Sequence, residues 1–345
     1  LLIQQILLKI LTTFQNERTL SAAFHLLKGK RSGQTIHDVG LFQLHAFFGL
    51  LPKLSRGQFD EQVDLLFAKN YIIIEENGYY QMTEIGVKQA SEALAFRFDG
   101  WHYRGNEHIF FARLSLVIQS LSHQAVGVKS FIAIEKDEDV QSKVREFLVK
   151  NQFQQRPLQS KVYFEIEQSL DKIQIDEQVK TMIVYRLSGF QEPGLTWQQM
   201  AFGFHLSEMD IRLMYCSGLH QWLNEILEHA QNYPYLFDLA QGIRVDLMLT
   251  SSANVTANLY KKGHSLEQIS LMRRLKLNTI EDHIVELAMN DVNFDIEPFI
   301  NNADQQKIVN ASEDYQTKKL KVLREIIPHV SYFQLRLALA KEANH

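Results

Sequence analysis

Apolar residues at Ile3, Ile6, Leu7, Ile10, Leu11 and Phe14 recur at three- and four-residue spacing and predict a first helix with one apolar face. A second helix is predicted from about Thr19 to Leu27, with Gly29 as its stop, and a short third helix begins near Gln34. Leu41, Phe42, Leu44, Phe47, Phe48 and Leu50 supply further core before Pro52. Ser55 fits an N-cap for a helix carrying Phe59, Val63 and Leu66 along one side. Two β-rich runs then flank Asn77-Gly78 in YIIIEENGYYQM, Tyr71 to Met82. A tight hairpin needs positive φ at both central positions, which this dipeptide tolerates. Helices followed by such a hairpin are the order of a winged helix, which sets one helix and its preceding turn against nucleic acid with the hairpin beside them. Tyr79 and Tyr80 alternate faces, so one at most can stack on a base while the other joins the core.

From Ser91 to Ser251 the pattern stays helical, in Phe110, Leu114, Val117, Ile118 and Leu121, in Val140, Val144, Phe147 and Leu148, and over Leu195 to Leu206 and Ile211 to Leu227. Polar loops are expected at Lys136 to Asp139 and Gln191 to Gly194, and Trp101, His102 and Tyr103 fit a hydrophobic core better than an exposed anchor. HSLEQISLMRRLKLNTIEDHIVELAM, His264 to Met289, reads as helix, turn, helix after a helix from Thr256 to Lys262 that Gly263 ends. Ser265 with Gln268, and Asn278 with Glu281, fit capping boxes, and Ile269, Leu275, Ile280, Ile284 and Leu287 form the apolar seam. The expected architecture is mostly α: a winged helix with one β-hairpin at 1–90, a helical middle domain at 91–251 and a helix-turn-helix domain at 252–345.

At 345 residues, 46% hydrophobic and 22% charged, the chain has apolar content for two or three domains. A single cysteine, Cys216, excludes a disulfide framework or a zinc site of several thiolates and suits a reducing cytosol. No apolar run is long enough to span a bilayer, and Gln4, Gln5 and Lys9 interrupt the first helix, so a soluble cytoplasmic protein is expected. Leu1 in place of Met points to a longer parent chain. The net charge of −4 argues against a protein that coats nucleic acid over its whole surface. Lys and Arg number nine against eight Asp and Glu in Leu1 to Ala90, twelve against twelve in Ser252 to His345, and fifteen against twenty between. Nucleic acid would meet local patches at the two ends, and the acidic middle would serve another purpose.

The clearest such patch is LLKGKRSGQTIHD, Leu26 to Asp38. Lys28, Lys30 and Arg31 precede Ser32, Gln34 and Thr35, small and polar residues that leave backbone N–H groups free to meet phosphate. In the C-terminal motif, the second helix would present Asn278, Thr279, Asp282 and His283 to base edges, with Arg273, Arg274 and Lys276 holding phosphates. Glu281 and Asp282 would repel phosphate, so protein docking or a structural role stands beside DNA contact for this unit. His102, His108, His205, His220 and His229 make no tight ligand pattern with carboxylates, and neither a metal nor a cofactor is expected. No nucleophile and base pair or phosphate loop is present to serve a reaction, so an enzyme is not expected.

Leu1 to Ala90 resembles the winged-helix RQC domain that follows the motor of RecQ-family DNA helicases, through the basic turn, LFQLHAFFG, FDEQVDLLFAKNYI and YYQMTEIG. The resemblance implies a domain that grips duplex or branched DNA, with Lys28, Lys30, Arg31, Ser32, Gln34 and Thr35 on the backbone and Asn77, Gly78, Tyr79 and Tyr80 at the wing tip. The C-terminal region, through KVLREIIPHVSYFQLRLALA, Lys321 to Ala340, resembles the helix-turn-helix domain at the C-termini of some RecQ helicases and in standalone proteins of Gram-positive bacteria. The standalone genes commonly neighbour one for a short RecQ-type helicase, which implies a partner in trans. Neither the motor nor the four-cysteine zinc module of those helicases is present.

Together these features predict a non-catalytic DNA-binding accessory factor that assists a RecQ-type helicase on branched or forked DNA in repair or recombination. The acidic middle, or the segment around Tyr332, Phe333 and Arg336, would dock the motor. A sequence-specific transcription regulator and a protein scaffold that binds no DNA are the alternatives.

Overall fold

The computed structural model describes residues 1–153, 157–245, 249–291 and 293–342. Among the described residues the regular structure is nineteen α-helices, two short 3-10 helices and one two-stranded hairpin, and these residues fall into two compact units. One, the terminal unit, comprises Leu7–Glu92 with Asp246–His345; the other, the middle unit, comprises Leu1–Ile6 with Ala93–Val245.

The terminal unit begins within α1, Leu2–Thr13, whose Leu7, Leu8, Ile10 and Leu11 are all buried, so the expected single apolar face is widened. α2, Leu20–Lys28, stops where Gly29 takes φ 68° with an ideal Cβ position 2.9 Å from the Gly49 backbone, a site closed to any side chain. Ser32 caps α3, Gly33–Leu41, and a Ser55–Gln58 capping box opens α4, Arg56–Ala68. β1, Ile72–Ile74, and β2, Tyr80–Met82, pair antiparallel with Ile73 opposite Gln81. Asn77 and Gly78 both have positive φ, and the register leaves a three-residue loop, Glu76 to Gly78. Tyr80 is fully buried and its hydroxyl donates to the Leu11 carbonyl at 2.6 Å, while Tyr79 stays 40% exposed. Thr83 caps α5, Glu84–Ser91.

In the middle unit, α6, Gly100–Tyr103, and α7, Glu107–Ala125, precede α8, Glu138–Lys150, and α9, Pro157–Lys172. α10, Glu177–Tyr185, and α11, Trp197–Phe204, lead to the long α12, Glu208–Glu228, and α13, Pro234–Ala240. Trp222 on α12 is fully buried edge-on to Phe110, with its Nε1 donating to Ser169 Oγ at 2.7 Å. Trp101 and Tyr103 are likewise core. The Glu165 carboxylate accepts from the Tyr235 and Leu236 N–H groups and so caps α13 from another helix. No helix among the described residues is long and apolar enough to cross a membrane.

The chain then completes the terminal unit. α14, Ser251–Lys261, and α15, Leu266–Arg273, precede α16, Leu277–Asn290, and α17, Asn302–Asp314, α18, Leu320–Ile326, and α19, Tyr332–Glu342, follow. α16 packs on α14, α15 and α19 and, although it lies far along the chain, on α3. Gly40 permits that approach, because an ideal Cβ there falls 1.9 Å from Met289 Cε.

Candidate nucleic-acid interface

Lys28, Lys30 and Arg31 are exposed at the turn between α2 and α3. Lys28 Nζ lies over the Phe24 ring at 5.6 Å, and Lys30 Nζ is 3.4 Å from His25 Nε2. Partial burial, and then the charges of Lys30, Arg56 and Lys28, lower the pKa of His25. Arg56 therefore belongs to the same positive surface. It packs on Phe24 and Phe59 and pairs with Asp60 at 2.8 Å. Twenty-five residues of chain separate Arg31 from Arg56, so no local spacing announces their meeting.

The polar half of the turn is largely occupied. Ser32 Oγ accepts the Thr35 N–H at 3.4 Å and contacts Thr35 Oγ1 at 2.9 Å, and Thr35 is buried. Both side chains close the helix start, and of the two only Ser32 keeps partial exposure. Gln34 is exposed, and its amide donates to Asp38 Oδ1 at 2.8 Å, the same oxygen that Arg18 binds at 2.8 Å. At the hairpin, Asn77, Gly78 and Tyr79 are exposed, whereas Tyr80 is core. Glu75 and Glu76 stand exposed beside the tip and add negative charge there.

The C-terminal motif differs more from expectation. The Ser265–Gln268 capping box is present, but α16 starts at Leu277 with Lys276 as an N-cap that makes no side-chain bond. Arg274 closes α15 in the left-handed region at φ 53°, and the short link leaves Asn278 inside the first turn of α16, where it cannot cap. Arg274, Lys276 and Asn278 are exposed and Thr279 half-buried. Arg273 instead ties α15 to α14, donating to the Ser252 carbonyl at 2.7 Å and to Thr256 Oγ1 at 2.5 Å. His283 is buried with Nδ1 2.9 Å from Thr256 Oγ1, so it reads no base edge. From His283 to Met289 every residue of α16 is buried, so only the stretch from Leu277 to Asp282 stays open to a groove. Ile284, Val285, Leu287, Ala288 and Met289 circle the helix, and that all-round apolar pattern was the available signal.

Around Tyr332, Phe333 is buried edge-on to Phe299 at 5.5 Å and Arg336 is bound to Asp282, leaving Tyr332 exposed. Two of the three side chains expected to dock a partner are thus used inside the fold. Arg31 and Gly33 share a pocket of about 210 Å³ with Thr279, Asp282 and Arg336, so the basic turn adjoins the start of α16.

Glu107, Cys216 and His220, distant in sequence, converge in the middle unit. The Asp99 N–H donates to His220 Nδ1 at 3.0 Å, which places the neutral ring's hydrogen on Nε2, 3.5 Å from both Glu107 Oε2 and Cys216 Sγ. That nitrogen offers no lone pair to a metal. Burial, and then the Glu107 carboxylate, push the Cys216 thiol well above its ordinary pKa, so it is a poor nucleophile.

Residues 252–339 match the family model described as a helix-turn-helix domain. Over 342 residues the chain is 32% identical to "Protein YpbB" of Bacillus subtilis (strain 168), an alignment covering 97% of this chain and 96% of that protein. No solved structure matches the chain.

Proposed function

The chain belongs to the family of the Bacillus YpbB protein, and from that premise we propose a non-catalytic, cytoplasmic DNA-binding accessory factor that assists a RecQ-type helicase. Its ligand is branched or forked DNA in repair or recombination. The helix-turn-helix match supports DNA binding in general. The observation that carries the reading is the cationic surface of Lys28, Lys30 and Arg31 with Arg56, gathered around His25 and adjoining the first turn of α16. Lys276 and Arg274 extend it with exposed charge, and Tyr79 offers a ring at the wing tip. A backbone-gripping surface of this kind positions a protein on DNA without reading sequence.

The burial of His283, one of the side chains a sequence reader would present to base edges, favours this over a transcription regulator. A scaffold that binds no DNA would instead leave the basic turn to meet an acidic partner surface. Fluorescence anisotropy on matched forked, duplex and single-stranded DNA of random sequence, over a salt series, tests the reading. Tight, salt-steep binding that prefers the fork is expected, followed by stimulated unwinding when a RecQ-type helicase is added. Absence of binding to all three at low salt overturns it.

A further inference from the structure

Outside the terminal unit, α9 and α10 stand as two walls over α7 and enclose an open groove of about 640 Å³. Ile118 and Leu121 of α7, with Val162, Ile166 and Leu170 of α9, make its floor apolar. Tyr163, Val184 and Tyr185 rise from the walls at 63, 47 and 51% exposure, a dense apolar display for a surface. The lips carry the opposite character. Tyr163, Glu167 and Asp171 follow one another at four-residue spacing along α9, and Glu177 stands 83% exposed on α10. Lys180, the one cation among the described lining residues, is 15% exposed and already bound to Glu177 at 2.7 Å.

We infer that this groove docks an amphipathic α-helix of a partner protein, with its apolar stripe on the floor and Lys or Arg flanks against Glu167, Asp171 and Glu177. The charge of the lips selects that occupant. Phosphates of nucleic acid would be repelled by them. A second copy related by a two-fold axis would set the same carboxylates against one another. A peptide that binds by strand addition needs a sheet edge, and α7, α9 and α10 offer none. An apolar helix stripe with anchors at i, i+3, i+4 and i+7 matches a trough walled by two helices. The inference is independent of DNA binding by the terminal unit, so either can fail alone.

The test is selection from a display library of helical peptides, apolar at i, i+3, i+4 and i+7 and randomised at the flanking positions, on the full chain. Counter-selection uses the Val184→Lys chain, checked for retained helicity by circular dichroism. The expected result is enrichment of Lys and Arg at the flanks. Glu167→Lys with Asp171→Lys, both at exposed positions, should weaken the selected peptide by about tenfold or more and favour a Glu-flanked counterpart. No enrichment over the Val184→Lys chain overturns the inference, as does enrichment of acidic or neutral flanks. Concentration-dependent dimerisation lost on Val184→Lys assigns the groove to a second copy and overturns it equally.

Discussion

The Glu17 carboxylate accepts the backbone N–H of Lys318 at 2.9 and 3.1 Å, although 301 residues separate the two. Thr317 Oγ1 donates to the same carboxylate at 2.5 Å, and Lys318 Nζ reaches back to the Leu41 carbonyl at 2.6 Å. Lys318 and Arg18 both lie over the Phe42 ring. The hairpin-bearing segment and the helix-turn-helix segment are thereby one folded body, joined by hydrogen bonds at a largely buried carboxylate.

Glu17→Ala strands the Lys318 N–H and the Thr317 hydroxyl in a buried place and should destabilise the terminal unit by about 2–4 kcal/mol. Glu17→Gln, which keeps one acceptor, should be milder. Urea denaturation followed by circular dichroism measures both, and equal stability of Glu17→Ala and the parent would refute the clasp.

Lys30→Glu with Arg31→Glu should weaken binding to every DNA sequence alike and lower the salt slope by about two. Arg56→Ala should act in the same direction with a smaller change, since its charge is shared with Asp60. Arg273→Ala should leave the salt slope alone and lower stability, because that side chain is bonded to Ser252 and Thr256. Anisotropy titrations over salt, set beside denaturation curves, separate the two kinds of effect.

Gly40→Ala should cost about 1–3 kcal/mol, because the added methyl meets Met289 in a buried helix contact. Met289→Ala removes the obstructing atoms, so the double variant should lose less stability than the sum of the singles. Simple additivity would show that α3 and α16 do not meet closely in solution.

His37 is buried, and desolvation, followed by the charges of Arg336 and Arg18, lowers its pKa to about 3. Unfolded, it titrates near its ordinary 6.5, so below that pH the unfolded chain binds the extra proton. Its contribution is complete above pH 6.5 and is lost progressively as the pH falls towards 3. From pH 7 to 5 the terminal unit should lose about 2 kcal/mol from this group, and burial lowers the pKa of His283 in the same sense. Denaturation at the two pH values measures the loss, and His37→Asn should flatten it.

Much of the local structure was legible along the chain. Apolar spacing located the first helices, Gly29 and Ser55 marked a stop and a start, and Asn77-Gly78 placed the hairpin turn, because each acts within a few residues. Strand alternation also separated Tyr79 from Tyr80. The exposure of Lys28, Lys30 and Arg31 followed from a cluster of charge, interrupted only by Gly29, at a helix stop.

What only the tertiary structure decided is which buried face meets which. Periodicity says that a side chain needs apolar company and is silent about the partner, so the packing of α16 on α3 was invisible. With it went the burial of His283, the use of Arg273 and Arg336 as internal ties, and the pairing of Glu17 with Lys318. Charge on a side chain signals a ligand only when no buried acceptor claims it first. That competition is settled between segments from 17 to 301 residues apart, where burial and hydrogen bonding act on distance in space alone.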